Sequence, residues 1–148
     1  MQERFKTFTV LISNISRCIR KIKTEEMAEF NLKSPHVSCL YYLYRCGELA
    51  SKELCDICGE DKAAMSRSVE YLEANGYIYC ESDAKKRYKN PLKLTEKGVN
   101  VGKTIAEKID MMLDKASDGL SEEKRNIMYG SLWLINENLE KICERYGG

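Results

Sequence analysis

The residues in this chain with the most capacity for chemistry are its seven cysteines, its single histidine, His36, and the basic stretch SDAKKRYKN at 82–90. Cys55 and Cys58 form a C-x-x-C, which is half of a zinc site. A structural zinc needs four ligands, usually from a second such pair or a Cys/His pair. Cys46, Cys80 and His36 are the other ligands at hand, and no second C-x-x-C exists, so neither a metal nor a cofactor is expected. The pair is expected to fill space as free cysteines do, with Cys58 facing the core. Cys18 lies between Arg17 and Arg20, whose charges would favour its thiolate, and is the candidate redox residue. There is no Gly-rich phosphate loop, no Ser/His/Asp set and no pair of carboxylates on a defined cleft, so catalysis is not expected.

The basic stretch points elsewhere. Lys85, Lys86, Arg87 and Lys89 fall within five positions of a chain whose net charge is only +1. A concentrated positive tip on a charge-balanced protein suits local contact with phosphate. Charged residues make up 32% and hydrophobic residues 43%, an ordinary composition with enough apolar material for a core. No apolar run reaches the roughly 18 residues needed to cross a bilayer, so no membrane partner is expected. The N-terminal stretch lacks a signal-peptide layout and the cysteine count is odd, which together imply a cytoplasmic chain of free thiols.

These residues must be positioned by the elements around them. Residues 3–30 carry a helical pattern in which Phe5, Phe8, Ile12, Ile15, Ile19 and Ile22 keep three-and-four spacing, a narrow apolar seam. Ser34 and Pro35 read as the N-cap and first position of a second helix, 35–46, stopped by Gly47. "ELA" reads as a short extended bridge. Ser51 and Asp61 read as caps of two short helices, ended by Gly59 and Gly76. "YIYCES" and "PLKLT" are β-rich and flank the basic stretch, which predicts a hairpin with a protruding tip. Thr95 and Ser121 read as caps of two long helices. Their seams are Gly98, Gly102, Ile105, Ile109, Met112 and Ala116, then Met128, Leu132, Ile135, Leu139, Ile142 and Tyr146.

Two short helices joined by a Gly-containing turn over 50–76 form a helix-turn-helix pattern. On the second, Met65, Val69 and Leu72 share one face, and Lys62, Ala63, Ser66, Arg67 and Glu70 the other. A helix entering the major groove needs small residues where its backbone nears phosphate and a long donor to reach a base edge. A hairpin directly after it, with a basic tip, makes a winged helix. The tip can enter the adjacent minor groove, where the narrow walls focus negative potential on an arginine. Arg87 is then the groove-inserting residue, with Lys85, Lys86 and Lys89 on phosphates.

The stretches DKAAMSRSVEYLEANGYI and SDAKKRYKNPLKLTEKG resemble the MarR family of winged-helix transcriptional regulators. The match comprises Asp61, Lys62, Ser66, Arg67, Leu72, Glu73, Gly76, Tyr77 and Ile78, then Asp83 and Arg87 in the wing, and Leu94, Thr95, Glu96 and Gly98 at its exit. Lys86 stands where the family usually has Asp, and Tyr88 where it has a second Arg. Ala63, Ala64 and Ser68 also depart from the larger or more polar residues common there.

The resemblance implies a mainly α fold with a small β-hairpin: an N-terminal dimerisation helix at 1–34, a winged helix-turn-helix at 35–98 and C-terminal dimerisation helices at 99–148. It implies a homodimer that binds double-stranded DNA at a near-palindromic operator, most often as a repressor. It also implies release by a small aromatic or phenolic ligand, for which His36, Tyr41 and Tyr44 are the candidate contacts, though a lone His after a helix-starting Pro is more often a cap or surface residue. Some relatives sense oxidants through a cysteine near the N-terminal helix, where Cys18 stands. The alternatives are a thiol-based or metal-sensing regulator of the same fold, and a winged-helix module that binds only protein. The concentration of Lys and Arg in the wing favours DNA.

Overall fold

The computed structural model describes residues 3–81 and 90–147. Asp83, Lys85, Lys86, Arg87, Tyr88 and Lys89 lie outside the described residues. The N-terminal helix begins as Arg4–Lys6, widens into a π turn at Thr7–Leu11 and continues as α1, Ile12–Glu26. The hydroxyls of Thr7 and Thr9 donate to the carbonyls of Glu3 and Phe5, four residues back. The helix stops earlier than its periodicity suggests. A 3-10 turn at Ala28–Phe30 follows, and Asn31 takes the left-handed conformation at φ 57°. The break turns Met27 and Leu32 inward, each only 1% exposed.

Helix α2 spans Ser34–Cys46, strand β1 Glu48–Ala50, α3 Ser51–Cys58 and α4 Lys62–Ala74. Strands β2 (Ile78–Cys80) and β3 (Pro91–Leu94) follow, then α5 (Glu96–Ala116) and α6 (Glu122–Glu144). The bridge "ELA" is a strand in its own right: the hairpin gains a third member, and the antiparallel sheet runs β1-β3-β2. Leu92 at its centre sits opposite Leu49 on one side and Cys80 on the other. Pro91 opens β3, where a missing N–H is tolerated.

The expected caps at Asp61, Thr95 and Ser121 are present, each accepting from a backbone amide three residues on. Those at Ser34 and Ser51 are corrected by one residue. The caps are Lys33 and Ala50, because His36 Nδ1 and Glu53 Oε1 reach back to accept from their amides at 3.1 and 3.0 Å. Ser51 lies inside α3 and is buried.

By its contacts the chain divides into Met1–Asp110 and Met111–Gly148. The first unit holds the core, where Leu40, Leu43, Leu54, Val69, Leu72, Leu92 and Ile105 are all essentially inaccessible. Each such side chain contributes on the order of 1.5–3 kcal/mol on burial. The π-containing N-terminal helix leaves Phe5, Phe8, Ile12, Ile15 and Ile22 exposed. In the second unit α6 has no buried residue, and Leu132, Leu139 and Ile142 of its seam are exposed, as is Trp133.

Candidate nucleic-acid interface

Helix α4 is set by its first turn. Gly59 closes α3 at φ 66°, a left-handed conformation that suits glycine, and the chain turns to Asp61. The Asp61 carboxylate accepts from the Ala64 amide at 2.7 Å, satisfying one of the orphan donors of the helix start. Met65, Val69 and Leu72 are buried to 2% exposure or less, while Lys62, Ala63, Ser66, Arg67 and Glu70 face solvent. Ser68 joins the inner face at 5%. Of the three departures noted on this helix, Ala63, Ala64 and Ser68, the last is thus not on the outer surface at all. What remains outside is short and polar around one arginine and one lysine, beside the positive end of the helix dipole.

The base of the wing is stitched to the end of α4. Thr95 Oγ1 donates to the Gly76 carbonyl at 2.6 Å, and its amide donates to the Tyr77 carbonyl at 3.0 Å. Gly98 lies directly over that same Tyr77 carbonyl: a Cβ there would overlap the oxygen. Lys97 Nζ donates to the Asn75 carbonyl at 2.8 Å and sits 4.3 Å from the centre of the Tyr77 ring. On β3, Lys93 lies 3.4 Å from Glu81 and 3.6 Å from Glu48, and the Glu81 carboxylate holds its ammonium charged above the usual lysine range. These contacts fix where the chain enters and leaves residues 82–89.

The candidate ligand contacts do not converge. His36 stacks on Tyr71, with ring centroids 4.2 Å apart. Burial, and then the charge of Lys33, push its pKa below the ordinary value. Tyr41 meets Tyr42 edge-on and lies beneath Arg45. Tyr44 packs against Gly102 and lines an open hollow with Gly47, Glu48, Tyr79, Lys93 and Val99, which neither His36 nor Tyr41 reaches. A separate narrow apolar cleft lies among Ile22, Met27, Val37, Ile105 and Ile109, with Lys23 and Lys108 at its edge.

Among the thiols, Cys18 is exposed and Cys39 fully buried. Cys55 and Cys58 are half-buried against the core, as expected of Cys58. Cys55 donates to the Glu60 carbonyl at 2.9 Å. No cluster of three or more metal-ligating side chains occurs among the described residues. Sequence reasoning missed Lys23, whose Nζ donates to Ser38 Oγ of α2 at 2.8 Å. A lysine breaking an apolar helix face just after Ile22 was the available signal.

Residues 30–87 match the model of the MarR family, a span that contains α2, α3, α4 and β2. Over that span the chain is similar to the MarR family. Over 137 residues it is 22% identical to an uncharacterized HTH-type transcriptional regulator, YwaE, of Bacillus subtilis, covering 93% of this chain and 80% of that protein. Among solved structures it is similar to the S. aureus MepR–DNA complex, at 22% identity and a TM-score of 0.79 over 93% of this chain and 99% of that one. It is also similar to a MarR family regulator from Listeria monocytogenes complexed with 26mer DNA, at 24% identity and a TM-score of 0.82, covering 100% and 97%. At these identities the structural likeness bears on the MarR fold, and the winged-helix architecture is that fold. No helix among the described residues is long and apolar enough to cross a membrane.

Proposed function

We propose that this chain is a member of the MarR family and a sequence-specific DNA-binding transcriptional regulator, acting in the cytoplasm as a repressor rather than as a catalyst. The observation that carries the reading is the two-faced α4. It spends Met65, Val69 and Leu72 on the core and leaves Lys62, Ala63, Ser66 and Arg67 outward, immediately before the strands that lead into the basic stretch. Arg67 supplies the donor fork for a guanine edge, Ala63 and Ser66 allow close approach, and Lys62 pairs with phosphate. Arg87 enters the adjacent minor groove and Lys85, Lys86 and Lys89 take phosphates. The relatives solved with DNA support the reading.

The exposed seams of the N-terminal helix and of α6 suit dimerisation, and a two-fold dimer matches a near-palindromic operator. A signal then releases the DNA; a small aromatic ligand at His36, Tyr41 and Tyr44 would have to gather side chains that here face different neighbours.

The test is selection of bound DNA from a random pool, followed by affinity measurements on Arg67→Ala and Arg87→Ala. Each is expected to weaken binding by about 1–3 kcal/mol while the mass of the oligomer in solution stays the same. Unchanged affinity in both variants would overturn the reading.

A further inference from the structure

We infer that Tyr71 is the positioning residue of α4, holding that helix to the turn between α1 and α2, and that protonation of His36 releases the hold. Tyr71 stands four residues after Arg67, so the two lie on neighbouring turns of one stripe of the helix. The Tyr71 phenol donates to the Asn31 carbonyl at 2.6 Å. Asn31 is the left-handed residue at which the 3-10 turn ends and the chain heads for α2. The Tyr71 ring stacks on His36 of α2, with the two planes 13° apart. His36 Nδ1 in turn accepts from the Lys33 amide and closes the start of α2. One run of contacts therefore joins α4 to the turn and to the cap of the helix that follows it.

Two kinds of contact hold α4 in place. Met65, Val69 and Leu72 bury its inner face, and apolar burial has no preferred direction, so it tolerates a small rotation of the helix. The phenol hydrogen bond and the ring stack do depend on direction and distance, and they fix that rotation. Tyr71 is only half-buried, so water could satisfy its hydroxyl. The bond to Asn31 therefore sets an orientation; it does not rescue an orphaned donor.

The hold depends on which form of His36 is present. Only the neutral ring has a nitrogen that accepts. In the imidazolium both nitrogens donate, the Lys33 amide loses its partner, and a second positive charge stands beside the Lys33 ammonium. The titratable groups that face the ring are Lys33, at the start of its own helix, and Tyr71 from α4; the turn before α2 faces the pair with the uncharged Asn31 carbonyl. An imidazolium would gain some attraction to the phenol face. Burial first, and then Lys33, oppose it, and the net direction is toward the neutral ring. The stack and cap are thus in place at neutral pH and are lost as the pH falls through the folded pKa, which lies below the ordinary value. The chain has one histidine, so no second imidazole titrates in that range. The consequence for DNA rests on the proposed function; the link between Tyr71 and His36 does not.

The experiment takes two readouts on the full chain. The first follows the imidazole proton signal of the single histidine by NMR against pH. Tyr71→Leu, which strips the ring from His36, is expected to raise the His36 pKa toward the ordinary value of about 6.5. A pKa that does not move would overturn the inference; should the variant not fold, the second readout decides. That readout is affinity for the selected DNA at constant salt, at pH of about 7 and about 5, on either side of the ordinary histidine value. The wild type is expected to lose about threefold to tenfold on acidification, roughly the worth of one hydrogen bond. His36→Gln can still accept from the Lys33 amide but does not titrate, so its affinity should be the same at both pH values. Tyr71→Phe, lacking the bond to Asn31, is expected to bind DNA more weakly than wild type at neutral pH, with the oligomer mass unchanged. An equal fall in His36→Gln, a rise in wild-type affinity with acid, or wild-type affinity in Tyr71→Phe would each overturn the inference. A chain that binds no DNA at neutral pH, yet shows the expected NMR shift, would sink the proposed function alone. Tight wild-type binding that ignores pH would sink this inference alone.

Discussion

The carboxylate of Asp61 accepts a hydrogen bond from the Ala64 amide at 2.7 Å, and this contact starts the helix whose outer face carries Arg67. Asp61→Ala is therefore expected to cost about 1 kcal/mol, the usual worth of an N-cap. Urea denaturation followed by far-UV circular dichroism measures it. Asp61→Asn should recover most of the loss, because the amide oxygen can still accept; failure of Asn to rescue would assign Asp61 a role other than capping.

Gly98 offers a sharper test of packing. Its neighbour is a backbone carbonyl that Thr95 already holds, so the site cannot relax by rotating a side chain. Gly98→Ala should destabilise by roughly 1–3 kcal/mol or prevent folding. Gly130→Ala, on α6 with nothing within 4 Å of the new methyl, should be neutral or stabilising by up to about 1 kcal/mol. Equal melting temperatures for the two variants would contradict the close approach.

Protonation of His36 should register in stability. Its folded pKa lies below the ordinary value, and its Nδ1 accepts from the Lys33 amide, which only the neutral ring can do. The unfolded chain then binds the proton more readily, so this stability is present above the unfolded pKa of about 6.5 and is lost as the pH falls through it toward the folded pKa. The difference in urea midpoint between wild type and His36→Gln should shrink between neutral pH and pH of about 5. A difference that holds constant would show that the ring does not titrate with folding.

Salt separates the two kinds of contact proposed for the DNA face. Log affinity should fall linearly with log salt, with a slope near 0.9 per neutralised phosphate. Lys85→Ala or Lys89→Ala should reduce that slope by about one without changing the preferred sequence, while Arg67→Ala should relax the preference at one base position. A lysine variant that alters preference instead would exchange these assignments.

Much of this protein is local chemistry, and that part was legible. Asp61, Thr95 and Ser121 cap because a short side-chain oxygen before a helix meets an amide three residues on, whatever the rest of the chain does. Met65, Val69 and Leu72 turn inward because three-and-four spacing allows them no other shared face. The errors fall where two local solutions compete. Ser34 and Ser51 could cap, but His36 and Glu53 reach back one turn and move each boundary by a residue. The N-terminal helix has no stop signal at Glu26; it ends there because burying Met27 and Leu32 in the core outweighs continuing the periodicity.

The sequence by itself determined the order of elements, the outer face of α4 and the basic stretch that follows it, because periodicity and capping act over a few residues. Tertiary structure decided what distant segments do to one another. It made a strand of "ELA" by pairing it with β3, more than forty positions away. It sent His36, Tyr41 and Tyr44 to different neighbours. It also brought Lys23 of α1 to Ser38 of α2 and Cys39 of α2 to Met65 of α4, and no spacing rule along one helix could have paired side chains from separate helices.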